Sequence, residues 1–235
     1  MVKHNSFEAD IKTIIREPVL ILFFIMPIFI FLIFKALLIF GEPVLLEMTG
    51  FDLSQYYSYV LGVTFLISPM MLGTVAGFVM IDERDAKIYE LIAITPIGYV
   101  NYMVNRLLFP VVGSFLYTIL AYNILNVYTL NRFVLLLISI FISIQAIIMG
   151  LLLFNLADDK VKGLTYSKGF GTFNLLALAD LINNRWVVLV ASATPFYWIV
   201  RLIKYYDVKT IVMSVVIHIV WLGGVILLNQ SRSRG

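Results

Sequence analysis

The chain has 235 residues, 61% of them hydrophobic and 13% charged, against about 45–50% and about 25% in ordinary soluble domains, so a soluble globular domain is excluded. With 17 Lys and Arg against 14 Asp and Glu the net charge is +3, and no basic run of the kind that binds nucleic acid is present. Cysteine is absent, which excludes disulfides and thiolate metal sites.

At the N-terminus Phe7, Ile11, Ile14 and Ile15 recur at helical spacing, with Glu8, Asp10, Lys12 and Arg16 between them. An apolar stripe with charged flanks predicts an interfacial helix over residues 1–17. Pro18 suits the first turn of a new helix. Residues 19–40 are almost wholly apolar, with Lys35 close enough to the end to snorkel, and form the first span. Residues 41–56 carry Glu42, Glu47 and Asp52 and read as a short acidic loop.

The second span is 57–81, and its Gly73 and Gly77 make a G-x-x-x-G spacing that reads as packing within the chain. After it, Asp82, Glu83, Arg84, Asp85, Lys87 and Glu90 crowd the start of a segment in which Ile88, Leu91 and Ile92 share a face. Acids suit a helix N-terminus and Pro96 stops the run, so a short amphipathic helix is expected, shaped to dock a soluble partner. Spans at 107–128 and 133–156 follow, joined by a turn at 129–132.

The stretch from Gly163 to Lys209 is interrupted by Asp180, by Asn183, Asn184 and Arg185, and by Pro195. We read 168–189 as the fifth span and 191–206 as a re-entrant or interfacial segment. Trp186, Tyr197, Trp198, Tyr205 and Tyr206 supply the aromatic enrichment of a headgroup boundary. A seven-span alternative would make 169–182 cross alone, and fourteen residues are too few for about 30 Å of hydrocarbon. The sixth span is 210–228. Residues 1–235 thus form a single membrane domain, an all-α integral membrane protein of six transmembrane helices. Eleven of the 17 basic residues, Lys3, Lys12, Arg16, Arg84, Lys87, Arg106, Lys160, Lys162, Lys168, Arg232 and Arg234, fall on one side. That side is expected to be cytoplasmic, with both termini inside the cell membrane.

Enzyme chemistry has little material. His4 and His218 are the two histidines; His218 reads as a packing residue with its polar atoms satisfied, or as a proton relay. Ser143, Ser192 and Ser214 lack a G-x-S-x-G context. No G-x-x-x-x-G-K-[ST] occurs, so energy from ATP must arrive through a partner. Asp180, with Asn174 about two turns earlier, is the acid deepest within a span. It is either a substrate or proton site or a residue near water where the fifth helix breaks.

Residues 10–18 with their closing Glu-Pro, Pro27, the run Asp82-Glu-Arg-Asp, Glu90-Leu, Thr95-Pro96, Lys162-Gly163 and Pro195-Phe-Tyr-Trp198 together resemble the permease subunit of type-2 ATP-binding-cassette exporters. The closest likeness is to the fluoroquinolone-export branch. The resemblance implies a six-helix half-transporter that pairs with a second permease chain, identical or not, in membrane lipid. Two ATPase subunits would bind ATP and Mg, and this chain no cofactor. It implies that Phe7, Ile11, Asp82, Glu83, Arg84, Asp85, Lys87 and Glu90 contact the ATPase, and that Pro195, Phe196, Tyr197 and Trp198 close the outer end of the pathway. Asp180 and Asn174 are candidates for the substrate path.

The function expected is ATP-driven export of an amphiphilic drug, lipid or peptide-like molecule. Two rivals are a proton-coupled secondary transporter using Asp180 or His218, and a non-transport immunity or assembly protein. The former would need paired broken helices and more spans. The topology is testable: Ser6→Cys, Asp85→Cys and Ser233→Cys should label only from the cytoplasm, and Met48→Cys only from outside. Labelling of Ser233→Cys from outside would require an odd number of spans.

Overall fold

A computed structural model describes residues 17–88 and 98–232, and among them all regular structure is helical. The interfacial helix proposed for 1–17 and the amphipathic run with Glu90 and Pro96 fall, except for Glu17 and the residues up to Ile88, outside the described residues. Helix α1 (Pro18–Ala36) continues through a π-helical turn into α2 (Glu42–Thr49), where Gly50 in the left-handed region ends it. Most of the expected acidic loop is therefore helical, and a 3-10 turn at Leu53–Tyr56 leads to α3 (Tyr57–Asp85).

Helices α4 (Gly98–Leu125), α5 (Arg132–Leu156) and α6 (Lys160–Phe173) follow. A 3-10 helix (Asn174–Leu181) then precedes α7 (Arg185–Ser192), α8 (Pro195–Lys204) and α9 (Val208–Arg232). Caps mark the breaks. Asn131, Asp159 and Asn184 each accept a backbone N–H from the first turn of the helix that follows. Asp207 accepts the Thr210 N–H at 2.6 Å, and that bond holds its carboxyl below the usual range.

Five helical stretches are long and apolar enough to cross a membrane, or six if the bent pair α7 and α8 counts as one. Helix α3 is central and packs against α1, α4, α5, α6 and α8. Of its most apolar window 83% is buried, against 17% for those of α1–α2 and α9. The outer helices turn Leu22, Phe29, Ile33, Val212, Ile219 and Leu227 outward, an apolar surface that suits lipid rather than water. Glycine makes the central contact possible. A Cβ on Gly73 would lie 2.7 Å from Ala146 O, and one on Gly77 2.8 Å from Leu153 Cβ, so the G-x-x-x-G face packs α3 on α5 within the chain. Pro69 in α3 cannot donate to Phe65 O, and the Ser68 hydroxyl donates to it instead at 3.2 Å.

Besides the helical stretch in place of the acidic loop, the elements differ from the sequence expectation in three places. Helix α3 runs on through Asp82–Asp85, so those residues form the last turn of the second span and not the first turn of a separate helix. Helix α4 begins at Gly98 rather than near residue 107, because its polar first turns find partners on α3. The expected fifth span at 168–189 is broken after Leu181, where Asn183 takes a positive φ.

In its place Lys160 to Leu181 carries the chain between the ends of the bundle. Lys160 sits at 2.6 Å from Asp82, and Asp180 meets Tyr197 and Arg201 on α8, whose Lys204 reaches Tyr59 at the far end of α3. Fourteen α-helical and eight 3-10 residues give a length of about 37 Å. Helices α7 and α8 then meet at 107°.

Replacing Gly73 with Leu should cost about 3 kcal/mol, since the Ala146 carbonyl is backbone and cannot swing away. Gly223→Leu, with nothing within 4 Å of its would-be Cβ, should be neutral. Unfolding of the purified protein in detergent reads both.

Candidate functional site

Two polar constellations stand out, one at an end of the bundle and one in its interior. At the end, Lys160 bridges Glu17 and Asp82, both at 2.6 Å, and so ties the starts of α1 and α6 to the end of α3. Glu83 accepts from Arg106 and, at 2.6 Å, from the Tyr102 hydroxyl, which ties α3 to the start of α4. Arg84 donates to Phe154 O, Ala157 O and Asp158 O at 2.7–3.0 Å. These are carbonyls at the end of α5 that its own ladder leaves open, and a cation belongs there. Tyr99 donates to Asn229 at 2.8 Å, so α9 finishes at this same end.

This platform revises the roles expected from sequence. Glu83 and Arg84 are turned inward and hold helices together, whereas Asp85 and Lys87 are exposed. Lys87 sits at φ 58, where the helix has ended. Phe7, Ile11 and Glu90 lie outside the described residues.

The interior constellation surrounds the junction of α7 and α8. Breaking a helix in an apolar bundle leaves carbonyls open at the end of the first half; backbone N–H groups meet those of Val190 and Ala191, and side chains serve others at the junction. Trp198 Nε1 donates to Ser192 O at 2.8 Å, Trp221 Nε1 to Ala193 O at 2.8 Å, and Gln145 Nε2 to Pro195 O at 3.2 Å. Gln145 also meets His218, which is fully buried, contacts Ser214 O through Nδ1 at 2.7 Å and stacks on Phe141.

Of the four residues expected at an outer gate, Pro195 and Phe196 line a cavity of about 320 Å³ together with Asn174, Gln145, Met149 and Trp221. Tyr197 and Trp198 are buried, whereas Trp186, Tyr205 and Tyr206 are exposed. Both donate their polar hydrogens inward. Tyr197 Oη donates to Asp180 at 2.8 Å and accepts from Arg201, whose guanidinium lies 3.5 Å from Asp180. Asp180 thus pins the 3-10 helix to α8 and stays out of the cavity. Asn174 lines the cavity, its amide at 3.5 Å from Leu66 O.

Sequence reasoning missed Gln145 and Trp221. A glutamine in the middle of an otherwise apolar span was the available signal for the first, since a buried amide in hydrocarbon needs partners. Among the described residues no cluster of His, Cys, Asp and Glu could hold a metal ion.

A bundle of long apolar helices around a polar-lined break, with charged helix ends gathered at one face, defines a multi-pass membrane protein with an interior site. Residues 10–228 match the family described as fluoroquinolones export permease protein Rv2686c-like, and the chain belongs to that family. Two relatives from Mycobacterium tuberculosis, the fluoroquinolones export permease protein MT2760 of strain CDC 1551 and Rv2686c of strain H37Rv, are each 26% identical over 197 residues. That alignment covers 80% of this chain and 76% of theirs. No solved structure matches. The chain is a membrane permease.

Glu83 and Arg106 are largely buried, and removing the carboxylate takes away the acceptor that Arg106 and Tyr102 share. Glu83→Leu should therefore cost about 2 kcal/mol and lower the melting temperature by several degrees. Lys162→Ala, which breaks an exposed pair with Asp158, should leave it unchanged.

Proposed function

We propose that this chain is the membrane-spanning half of an ATP-driven exporter, moving an amphiphilic small molecule out of the cell while a separate ATPase chain binds ATP and Mg and hydrolyses it. The observation that carries this reading is the platform at one end of the bundle. The starts of α1, α4 and α6 are tied there to the end of α3, so a push on that end would be delivered to all of them together. Family membership supports the transport class, and the names of the mycobacterial relatives make fluoroquinolone-type drugs the first cargo to test.

The platform end is read as cytoplasmic, since Arg84, Lys87, Arg106, Lys160 and Lys162 gather there. Six crossings result if Lys160–Leu181 makes the fifth. The pair α7 and α8 then enters from the outer end, turns at the cavity and leaves again as a re-entrant hairpin. The ATPase contact is assigned to Asp85 and Lys87, and to Phe7, Ile11 and Glu90 in the neighbouring segments. Asp82, Glu83 and Arg84 act behind them by keeping the end of α3 rigid. The hairpin from Pro195 to Trp198 serves as the outer closure, and the exposed faces of α1 and α9 meet lipid and a second permease chain. ATP-driven approach of the ATPases would tip the bundle between inward-open and outward-open states.

Solubilised gently from its native membrane, the chain should bring an ABC-type ATPase with it. Asp85→Arg together with Lys87→Glu should reduce that association or ATP-dependent efflux about tenfold at unchanged permease level, because reversed interfacial charges lose both attraction and register. Efflux that continues without ATP and without an associated ATPase would sink the proposal.

A further inference from the structure

Helices α4 and α9 both pack on α5 and leave an open groove between them. Its floor is one stripe of α5, in which Phe133, Leu136, Ile140, Ile144 and Ile147 recur at three- and four-residue spacing. The first three are half exposed on a helix that is otherwise mostly buried. Two stretches of the groove hold about 390 Å³ each and share Val111 and Ile147, so the groove is continuous. At the platform end the Tyr99 hydroxyl and Asn229, 2.8 Å apart, tie its two walls together. In the outer stretch Ser143 is the one polar residue, and its hydroxyl is spent on Val111 O at 3.0 Å. From Phe133 to Ile147 the floor rises about 21 Å, enough to cross one leaflet of about 15 Å. Even two turns of a helix, about 10 Å across, displace about 850 Å³, more than either stretch holds. A single alkyl chain displaces far less.

The mouth of the groove away from the platform is basic. Helices α5 and α9 both end at the platform, so both begin at this mouth. The exposed rings of Phe133 and Tyr206, 6.4 Å apart, bring the start of α5 against the turn that leads into α9. Arg132 and Lys209 stand beside those two rings in sequence. Both are exposed, and neither joins an ion pair among the described residues. Asp207, the acid nearest Lys209 in sequence, spends its carboxylate on the Thr210 N–H at 2.6 Å. At the platform Lys160 finds two carboxylates of its own chain; here the cations have no such partner. A cation at the edge of hydrocarbon, without a counter-charge from the protein, draws anionic headgroups.

We propose that the groove between α4 and α9 binds one anionic phospholipid of the leaflet at that end, its phosphate at Arg132 and Lys209 and one acyl chain along the stripe from Phe133 to Ile147. Bound there, the lipid joins the start of α5 to the start of α9, where the protein supplies no ion pair between them. The site lies apart from the platform and the hairpin, so it stands or falls independently of the export reading.

Native mass spectrometry of the purified chain in detergent, offered equal amounts of dioleoyl phosphatidylglycerol and dioleoyl phosphatidylcholine, reads the preference directly. The wild type should retain the anionic lipid about tenfold better. Arg132→Gln with Lys209→Gln should bring the ratio close to one. Lys162→Gln with Lys168→Gln removes the same charge from exposed positions on α6 and should leave the ratio unchanged. Leu116→Trp with Ile140→Trp fills the groove from wall and floor, and should cut retention of both lipids about tenfold at an unchanged melting temperature. Glycerol 1-phosphate, which carries the headgroup charge without the chains, should displace nothing. A wild-type ratio near one overturns the proposal, and so does a ratio that falls equally in the α6 variant, which marks attraction to net charge alone. Retention that survives the filled groove, as when a second copy of the chain covers it, or displacement by glycerol 1-phosphate, overturns it as well.

Discussion

Every break in a helix inside this bundle creates carbonyls that hydrocarbon cannot hydrate, and the architecture depends on how those carbonyls are met. The partners come from far away in sequence. Lys35 on α1 reaches Leu125 O at 2.7 Å and closes the end of α4, a role that takes it inward instead of leaving it to snorkel. Tyr117 reaches back to Phe24 O at 2.9 Å. Arg84 closes α5, and Gln145, Trp198 and Trp221 close the junction of α7 and α8. Each bond satisfies a backbone group and at the same time fixes one helix against another, so polar satisfaction and tertiary geometry are the same set of contacts.

The two ends of that scheme have different mechanical character. At the platform the contacts are ionic and branched: Lys160 holds two carboxylates, and Glu83 receives two donors. At the hairpin the anchors are single hydrogen bonds to one backbone carbonyl each, set beside a cavity that removes packing on one side. Local opening begins in the region with the fewest supporting contacts.

Asp180 shows how an intramembrane acid can be structural. Its charge is matched by Arg201 and its second oxygen is served by Tyr197, so burial does not leave the carboxylate without partners. It stands at the break of the fifth helical run, tied to α8. His218 is likewise enclosed by Phe141, Gln145 and Ser214, an arrangement that holds the amide of Gln145 in register.

Much of the fold is legible in the chain itself, because hydrophobic runs report burial in lipid directly. Helices begin near Pro18, Tyr57, Arg132 and Val208, within a few residues of where the apolar runs start, and Asn131 caps one of them by local chemistry. Composition and hydropathy alone also settle that this is a membrane protein, and the order of its short motifs points to its family. What only the tertiary structure decided was the fate of the polar residues near helix ends. Hydropathy ends the second span at Ile81, gives Asp82, Glu83 and Arg84 to a separate helix and leaves Arg106 ahead of the next span; the folded chain keeps the first three in α3 and Arg106 in α4, where each faces a partner from another helix. The same holds for Gln145, which in sequence is one amide in an apolar run and in the structure holds the hairpin and lines the cavity. Local propensity and burial are properties of a segment, whereas the satisfaction of a polar group is a property of two segments brought together, and the fold determines which two.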